Sequence, residues 1–245
     1  MRACKVIATF YNPCREIRTE AEYPDHNQNI SLPSQYLEMI NDYCQLEMTQ
    51  DPGIDSLDTI IVYNGRREGV GYELTKYEEQ TTPKGKFIIE YRDCNDGSFG
   101  AFNYAYQRYR SDYDWWMFSE DDIFIIGDKY YTKTLEVFER EKDCGFVALV
   151  GIEETTEDFK GHAHSGCGLT KIDVLNRAAE LGGGQLAHGV GPYNKERNIF
   201  QGEVSFTSNI KDAGYRLVQY GTNSWNLNNL CFPYYELKNK CQIFL

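Results

Sequence analysis

The sequence holds no CxxC pair, no apolar run of membrane-spanning length, no excess of basic residues, no internal repeat and no low-complexity tract. Each absence closes a class. A membrane-spanning helix needs about 20 consecutive apolar residues, so no span is expected. The eight cysteines, at positions 4, 14, 44, 94, 144, 167, 231 and 241, lack the paired spacing of a zinc site. They read as reduced thiols of a cytoplasmic protein, with disulfides in a secreted chain as the other reading. Met1-Arg2-Ala3-Cys4-Lys5 leads straight into strand-like residues and is too short for the core of a signal peptide, which again favours the cytoplasm. With 25 Lys and Arg against 37 Asp and Glu, the formal net charge is −12, and nothing draws in nucleic acid or an anionic membrane. A phosphate that binds here needs local help, such as a metal ion.

What is present suits one α/β domain, because 245 residues bury a sizeable core without requiring a second. Val6-Ile7-Ala8-Thr9-Phe10-Tyr11 is β-branched and aromatic and stops at Asn12-Pro13, so it predicts a buried first strand. Tyr36, Leu37, Ile40 and Cys44 share one helical face between Leu32 and Cys44. Further strands are predicted over 57–63, 87–91 and 144–151, and further helices over 102–109, 130–139 and 171–181. A last helix opens near Gln201-Gly202-Glu203, and Gly214 caps it before a strand ending at Tyr220. This rhythm predicts a mixed, mainly parallel central sheet with helices on both faces. The acidic run Glu153 to Asp158 reads as a solvated loop.

One stretch stands apart. Trp115-Trp116-Met117-Phe118-Ser119-Glu120-Asp121-Asp122-Ile123-Phe124-Ile125 sets three consecutive carboxylates between two apolar runs with no basic neighbour. An apolar strand ending in acids puts hard oxygen ligands at the carboxyl end of a strand, where open α/β sheets bind ligands. A divalent cation is the natural guest.

Four features in order carry a resemblance: the strand end Thr9-Phe10-Tyr11, the loop with Asn95, Gly97, Gly100 and Asn103, the triplet Glu120-Asp121-Asp122, and Gly202-Glu203 before Asp212-Ala213-Gly214-Tyr215-Arg216. Their order, over residues 5 to 220, resembles a GT-A fold glycosyltransferase, most like the inverting family 2 class. The resemblance implies a single GT-A-like (Rossmann-like) domain with a nucleotide-sugar-binding half over 1–125, an acceptor-side half over 126–220 and a tail over 221–245. It implies that the triplet is a DXD motif spelled Glu-Asp-Asp, with Asp122 the ligand of Mn²⁺ or Mg²⁺, Glu120 facing the ribose and Asp121 orienting its neighbours. Such a metal offsets the charge that builds on a departing diphosphate. Thr9, Phe10 and Tyr11 would meet the base of a UDP- or GDP-type donor. Asp93, Asn95, Gly97 and Asn103 would lie beneath the nucleotide, and Asn64 stands where the family often carries an acid that contacts the base.

Inverting transfer needs a base for the acceptor hydroxyl. The family carries an acidic pair followed eleven residues later by the glycine of an "aGy" motif, and counting back from Gly214 reaches Glu203, although Gly202 replaces the first acid of the pair. The implied partners are a nucleotide-sugar donor and a glycan or other hydroxyl acceptor. His162 and His164 sit by the glycine-rich stretch near donor and acceptor, and ordinary hydrogen bonding suits them better than zinc, which lacks a third ligand. His188, Trp225 and Tyr234 are minor candidates for the diphosphate and acceptor sides. Two rivals stay open. One is a retaining transferase or nucleotidyltransferase of the same fold, and the other is a non-catalytic carbohydrate- or nucleotide-binding module.

Overall fold

The computed structural model describes residues 1–11, 32–150, 152–153, 161–187 and 198–220. The sequence candidates His188, Trp225 and Tyr234, and the acidic run beyond Glu153, lie outside them.

Among the described residues eight strands form one sheet. They are β1 (Ala3–Thr9), β2 (Leu57–Tyr63), β3 (Thr81–Thr82), β4 (Gly85–Tyr91), β5 (Trp115–Glu120), β6 (Cys144–Ala148), β9 (Gly168–Lys171) and β10 (Arg216–Gln219). Their order is β10-β6-β9-β5-β1-β2-β4-β3, and β7 (Ile152–Glu153) pairs separately with β8 (His162–Ala163). β1 pairs in parallel with β2 and β5, and β2 with β4, while β10 runs parallel to β6. The short β9 is inserted antiparallel between β5 and β6. The sheet is therefore mixed, with its central strands parallel and their carboxyl ends aligned.

Burial on both faces explains the apolar composition of these strands. In β1, Cys4, Val6 and Ala8 join a core with Phe99, Phe102 and Ala105, whereas Ile7 joins a second core with Tyr36, Met39, Ile40 and Tyr43. The first set comes from α2 (Gly97–Tyr109) and the second from α1 (Pro33–Thr49), so the two helices cover opposite faces. Among the described residues the remaining α-helices are α3 (Tyr130–Arg140), α4 (Ile172–Leu181) and α5 (Ser205–Asp212).

The boundaries differ from the sequence expectations in instructive ways. β1 starts at Ala3 and stops at Thr9, leaving Phe10 and Tyr11 just past the strand. α1 runs on to Thr49 because Glu47 still faces inward, onto Lys5 of β1. A 3-10 segment over Gly69–Tyr77 was not expected from the sequence; it buries Leu74 and Tyr77 beneath the second core. The last helix is preceded by a π-helical segment, Asn198–Val204, a rare geometry that is frequent at functional sites. Gly214 closes α5 with φ +92°, as a cap glycine does. No described helix is long and apolar enough to cross a membrane.

Candidate active site at the carboxyl end of the sheet

β5 ends at Glu120, and the acids follow where the parallel strands β1, β2 and β5 terminate together. The three carboxylates have different surroundings. Asp121 is buried, and its Oδ2 accepts hydrogen bonds from Thr9 Oγ1 at 2.6 Å and from the Phe10 amide at 3.4 Å. Its own amide donates to the Ala8 carbonyl at 3.1 Å, so the residue is stitched to the end of β1 on both sides. Glu120 and Asp122 are half-buried, and Ser98 Oγ of α2 donates to Glu120 Oε1. Ile123, Phe124 and Ile125, all buried, hold the chain down beyond the triplet without forming a strand.

The rest of the first-strand group follows. Phe10 is buried and Tyr11 half-buried, with the Tyr11 ring 5.9 Å from Tyr36. Tyr36, Tyr63 and Tyr91 continue as ring neighbours at 6.2 and 6.3 Å, making an aromatic row along the ends of β1, β2 and β4. Burial raises the Tyr63 phenol above its ordinary value.

Asn64 is buried and held at three points. Its amide donates to Thr9 O at 2.9 Å, its Nδ2 donates to Gly97 O at 2.9 Å, and its Oδ1 accepts from Arg92 Nη1 at 2.6 Å. Arg92 in turn grips Asp96 with both terminal nitrogens, at 2.6 and 2.8 Å. Asn64 thus splices the ends of β1 and β2 to the first turn of α2. Asn95 Oδ1 accepts from the Gly97 amide at 3.2 Å, and Gly97 takes φ +78° to turn the chain into the helix.

Asp93 and Asn103 make contacts of another kind. Asp93 is exposed and pairs with Arg66 at 2.6 Å, which holds its carboxyl below the ordinary value. Asn103 is on α2, where its Oδ1 accepts from the Leu186 amide at 3.1 Å, while Asn209 Nδ2 donates to Leu186 O at 3.2 Å.

Glu203 is buried in the π-helical segment. Its Oε2 lies 3.9 Å from His162 Nε2 and 3.6 Å from His164 Nδ1. A chain of packing ties this acid to the triplet. Ser98 bonds Glu120, and the next residue, Phe99, lies against Gly202, where a Cβ would sit 2.5 Å from its ring. Gly166, at φ +58°, presses on the same ring, with a Cβ there 2.7 Å away. The glycine in place of a first acid is therefore what lets this segment pack on α2. One helical turn, Gly97-Ser98-Phe99, bridges acids 83 positions apart in sequence.

Sequence reasoning passed over Ser98, Arg92 and the Lys5–Glu47 pair, and read Tyr36 only as part of a helical face. Only Arg92 and Asp96 carried a signal, their i,i+4 spacing. The other contacts depend on strand register and helix placement.

Could this arrangement hold a divalent ion? Among the described residues no three His, Cys, Asp or Glu side chains converge as a cage. A Mg²⁺-type ion that bridges phosphates takes one or two carboxylates and completes its shell with phosphate oxygens and water. The half-buried Glu120 and Asp122, at the mouth of a strand end, supply a donor set of that kind. Of the five described cysteines four are buried, and burial raises Cys144 to about 11.

No protein-family profile matches this chain, and no curated relative matches it by sequence. Solved structures do match by shape. S. aureus TarS 1–349 in complex with UDP superposes with a TM-score of 0.50 at 11% identity, covering 91% of this chain and 59% of that one. The mannosyltransferase PcManGT from Pyrobaculum calidifontis, in complex with GDP-Man and Mn²⁺, gives 0.55 at 13%, covering 89% and 54%. CMP:2-keto-3-deoxy-manno-octonic acid synthetase complexed with CTP gives 0.52 at 11%, covering 98% and 97%. The chain thus spans little more than half the length of TarS 1–349 and of the mannosyltransferase, and nearly the full length of the synthetase. At such identities the likeness establishes the fold, and that fold is a GT-A-like α/β architecture.

Proposed function

We propose that this chain is a metal-dependent glycosyltransferase that moves a sugar from a nucleotide diphosphate to a hydroxyl of a glycan or other acceptor, with inversion. The observation that carries the reading is the bridge just described. Glu120 at the strand end is bonded to Ser98, and Gly202, the neighbour of the buried Glu203, packs on Phe99, so the segments that carry a charge-stabilising site and a proton acceptor both adjoin the first turn of α2.

Asp122, together with donor phosphate oxygens, would hold Mn²⁺ or Mg²⁺, which supplies offset of the charge on the departing diphosphate. Asp121, fixed by Thr9 and the Phe10 amide, sets the direction of its two neighbours. Glu120 faces the ribose from its bond to Ser98. Phe10, Tyr11 and the aromatic row beside them offer faces to the base. Asn64, Asn95 and Gly97 shape the floor under the nucleotide through their mutual bonds. Glu203 takes the acceptor proton as the acceptor oxygen bonds to the anomeric carbon, while the electron pair of the breaking bond leaves on the diphosphate. The shape neighbours bound to UDP and to GDP-Man with Mn²⁺ support a UDP- or GDP-type donor.

The experiment is a panel of UDP- and GDP-sugars assayed for hydrolysis and transfer with and without Mn²⁺, repeated with Glu203→Gln. Metal-dependent release of UDP or GDP that Glu203→Gln abolishes is expected. Full turnover in Glu203→Gln removes the inverting base. A second reading, a nucleotidyltransferase, draws on the near-complete mutual coverage with the CTP-bound synthetase; release of pyrophosphate from a nucleoside triphosphate, with no turnover of nucleotide sugars, would select it.

A further inference from the structure

The acidic triplet stands in a turn that is closed twice. The Ile123 amide donates to the Glu120 carbonyl at 3.1 Å, so Asp121 and Asp122 occupy the two central positions of a tight turn at the end of β5. Ser119, the residue before the triplet, closes it again: its hydroxyl donates to the Ile123 carbonyl at 2.9 Å, with the Glu120 carbonyl at a longer 3.3 Å. Both carbonyls can only accept, which leaves the Ser119 lone pairs for Tyr43 OH of α1, and that hydroxyl donates to Ser119 Oγ at 3.0 Å. The Cys167 thiol lies 4.0 Å from the same oxygen. The Tyr43 ring packs on Phe124 at a centroid distance of 4.7 Å, so one tyrosine touches the chain on both sides of the acids. Ser119 and Tyr43 are fully buried, and the Lys5 ammonium, paired with Glu47, lies 5.1 Å over the Tyr43 ring.

We infer that Ser119 is a positioning residue that holds the Asp121-Asp122 turn in the shape that presents Asp122 to a divalent metal ion, with Tyr43 fixing the Ser119 hydroxyl from α1. The inference rests on the reading of Asp122 as the metal ligand. Asp122 has a pinned residue on each side. Asp121 is tied to β1 through its side chain, by Thr9 and the Phe10 amide, and through its own amide, by Ala8 O. Ile123 is tied by its amide to Glu120 and by its carbonyl to Ser119. That last bond is the one a serine supplies. Ile123 lies beyond the end of β5, and the carbonyl of a buried residue needs a partner that the strand ladder no longer provides. Ser119 therefore acts through the backbone, setting the direction in which the Asp122 carboxylate leaves the chain before an ion arrives. Ligands work when neighbouring bonds hold them within about 0.5 Å of the productive place. Loss of such an outer partner costs about tenfold to a hundredfold in metal affinity, and a hold on the backbone rather than on the carboxylate belongs at the lower end.

Mn²⁺ uptake by the intact chain tests this without turnover. It is read by electron paramagnetic resonance as loss of the free-ion signal with GDP or UDP present, corrected for the Mn²⁺ that the nucleotide holds alone. Asp122→Asn is expected to lose the protein-dependent uptake, and Ser119→Ala to weaken it about tenfold. Ser119→Thr, which keeps the hydroxyl, should stay close to the parent. Tyr43→Phe, which keeps the ring on Phe124 and removes only the donor, should weaken uptake by a smaller factor than Ser119→Ala, and it carries the same test if Ser119→Ala does not fold. Ile40→Val controls for loosening alone: Ile40 is buried in the same core on α1, so this variant lowers the melting temperature and leaves Mn²⁺ uptake at the parental value. Parental uptake in both Ser119→Ala and Tyr43→Phe, with Asp122→Asn inactive, overturns the positioning role and leaves the metal ligand standing. Ile40→Val weakened as much as Ser119→Ala overturns it as well. Uptake that is unchanged in Asp122→Asn, or absent from the parent with both nucleotides, overturns the ligand reading and the positioning role together.

Discussion

Thr9 Oγ1 donates a 2.6 Å hydrogen bond to Asp121 Oδ2, joining the last residue of β1 to the residue just past β5. Tyr36 OH is 2.8 Å from the same hydroxyl. Thr9 has one proton and gives it to the carboxylate, so Tyr36 must be the donor to Thr9, and a directed chain runs from α1 through β1 to the acidic triplet. All three groups are buried.

Replacing Thr9 by Val keeps the shape and removes both the donor and the acceptor of that chain. Leaving buried polar groups unsatisfied costs about 1–3 kcal/mol, so Thr9→Val is expected to lower stability by that amount in urea denaturation, with Thr9→Ser close to the parent. In a metal-dependent turnover assay Thr9→Val should also be slower, because Asp121 no longer fixes its neighbours.

Asp122→Asn keeps the size of the side chain and removes its charge. Loss of several kcal/mol of charge stabilisation corresponds to a drop of at least about a hundredfold in metal-dependent donor turnover. The melting temperature without metal should change little. The difference between parent and variant in the Mn²⁺-induced rise of melting temperature, measured with GDP present, checks the assignment.

Gly202 has no room for a side chain, since a Cβ would sit 2.5 Å from the Phe99 ring. Gly202→Ala is expected to cost about 1–3 kcal/mol by overpacking. Phe99→Leu in the same chain should recover part of it, and a double-mutant cycle in urea gives the coupling.

Lys5 Nζ and Glu47 Oε1 form a 2.5 Å ion pair with both side chains nearly inaccessible, and the ammonium lies over the rings of Tyr43 and Tyr130 at 5.1 and 4.9 Å. Lys5→Met alone strands a buried carboxylate and is expected to cost about 3–5 kcal/mol, while Lys5→Met with Glu47→Leu should recover most of that. Chemical denaturation of the two variants decides it.

Alkaline pH should unfold the protein through its buried and half-buried phenols and thiols. Burial and donation to Glu90 raise Tyr109 to about 12, and burial raises Cys144 from 9.0 to about 11. Burial likewise raises Tyr91 and Tyr113, each of which also lies against an acid. In each case the folded value exceeds the unfolded one, so the folded state binds more protons over that interval and stability falls as pH rises. The contribution is whole below about pH 9 and is lost through about pH 12. Phenolate absorbance and circular dichroism followed together should change in a single transition; phenolate formation well before unfolding would contradict this.

Much of the fold was legible because burial leaves a mark on composition. β2 over 57–63 and the strand ending at Glu120 follow from apolar, β-branched runs broken by acids or turn residues. What could not be read was anything that crosses between elements. The glycine-rich stretch after His164 carried no direction, and the insertion of its strand β9 antiparallel between β5 and β6 is a matter of topology. Asn64 invited comparison with a base-contacting acid, yet its amide is bonded to Gly97 and Arg92, contacts that exist only once β2 and α2 are docked. Asp93 and Asn95 were indistinguishable as loop residues until one proved exposed beside Arg66 and the other bonded to the turn at Gly97.

The sequence alone determined that acids would stand at a strand end and that one more acid would precede the last helix, because both depend on local pattern and order along the chain. The tertiary structure alone decided that the segments carrying these acids pack on one helix turn. The Ser98 hydroxyl and the Phe99 ring bring Glu120 and Gly202-Glu203 to one turn of α2, and His162 and His164 lie beside Glu203. The physical reason is that such contacts come from close packing of elements far apart in sequence, where the absence of one methyl group at Gly202 sets whether the segment can approach at all.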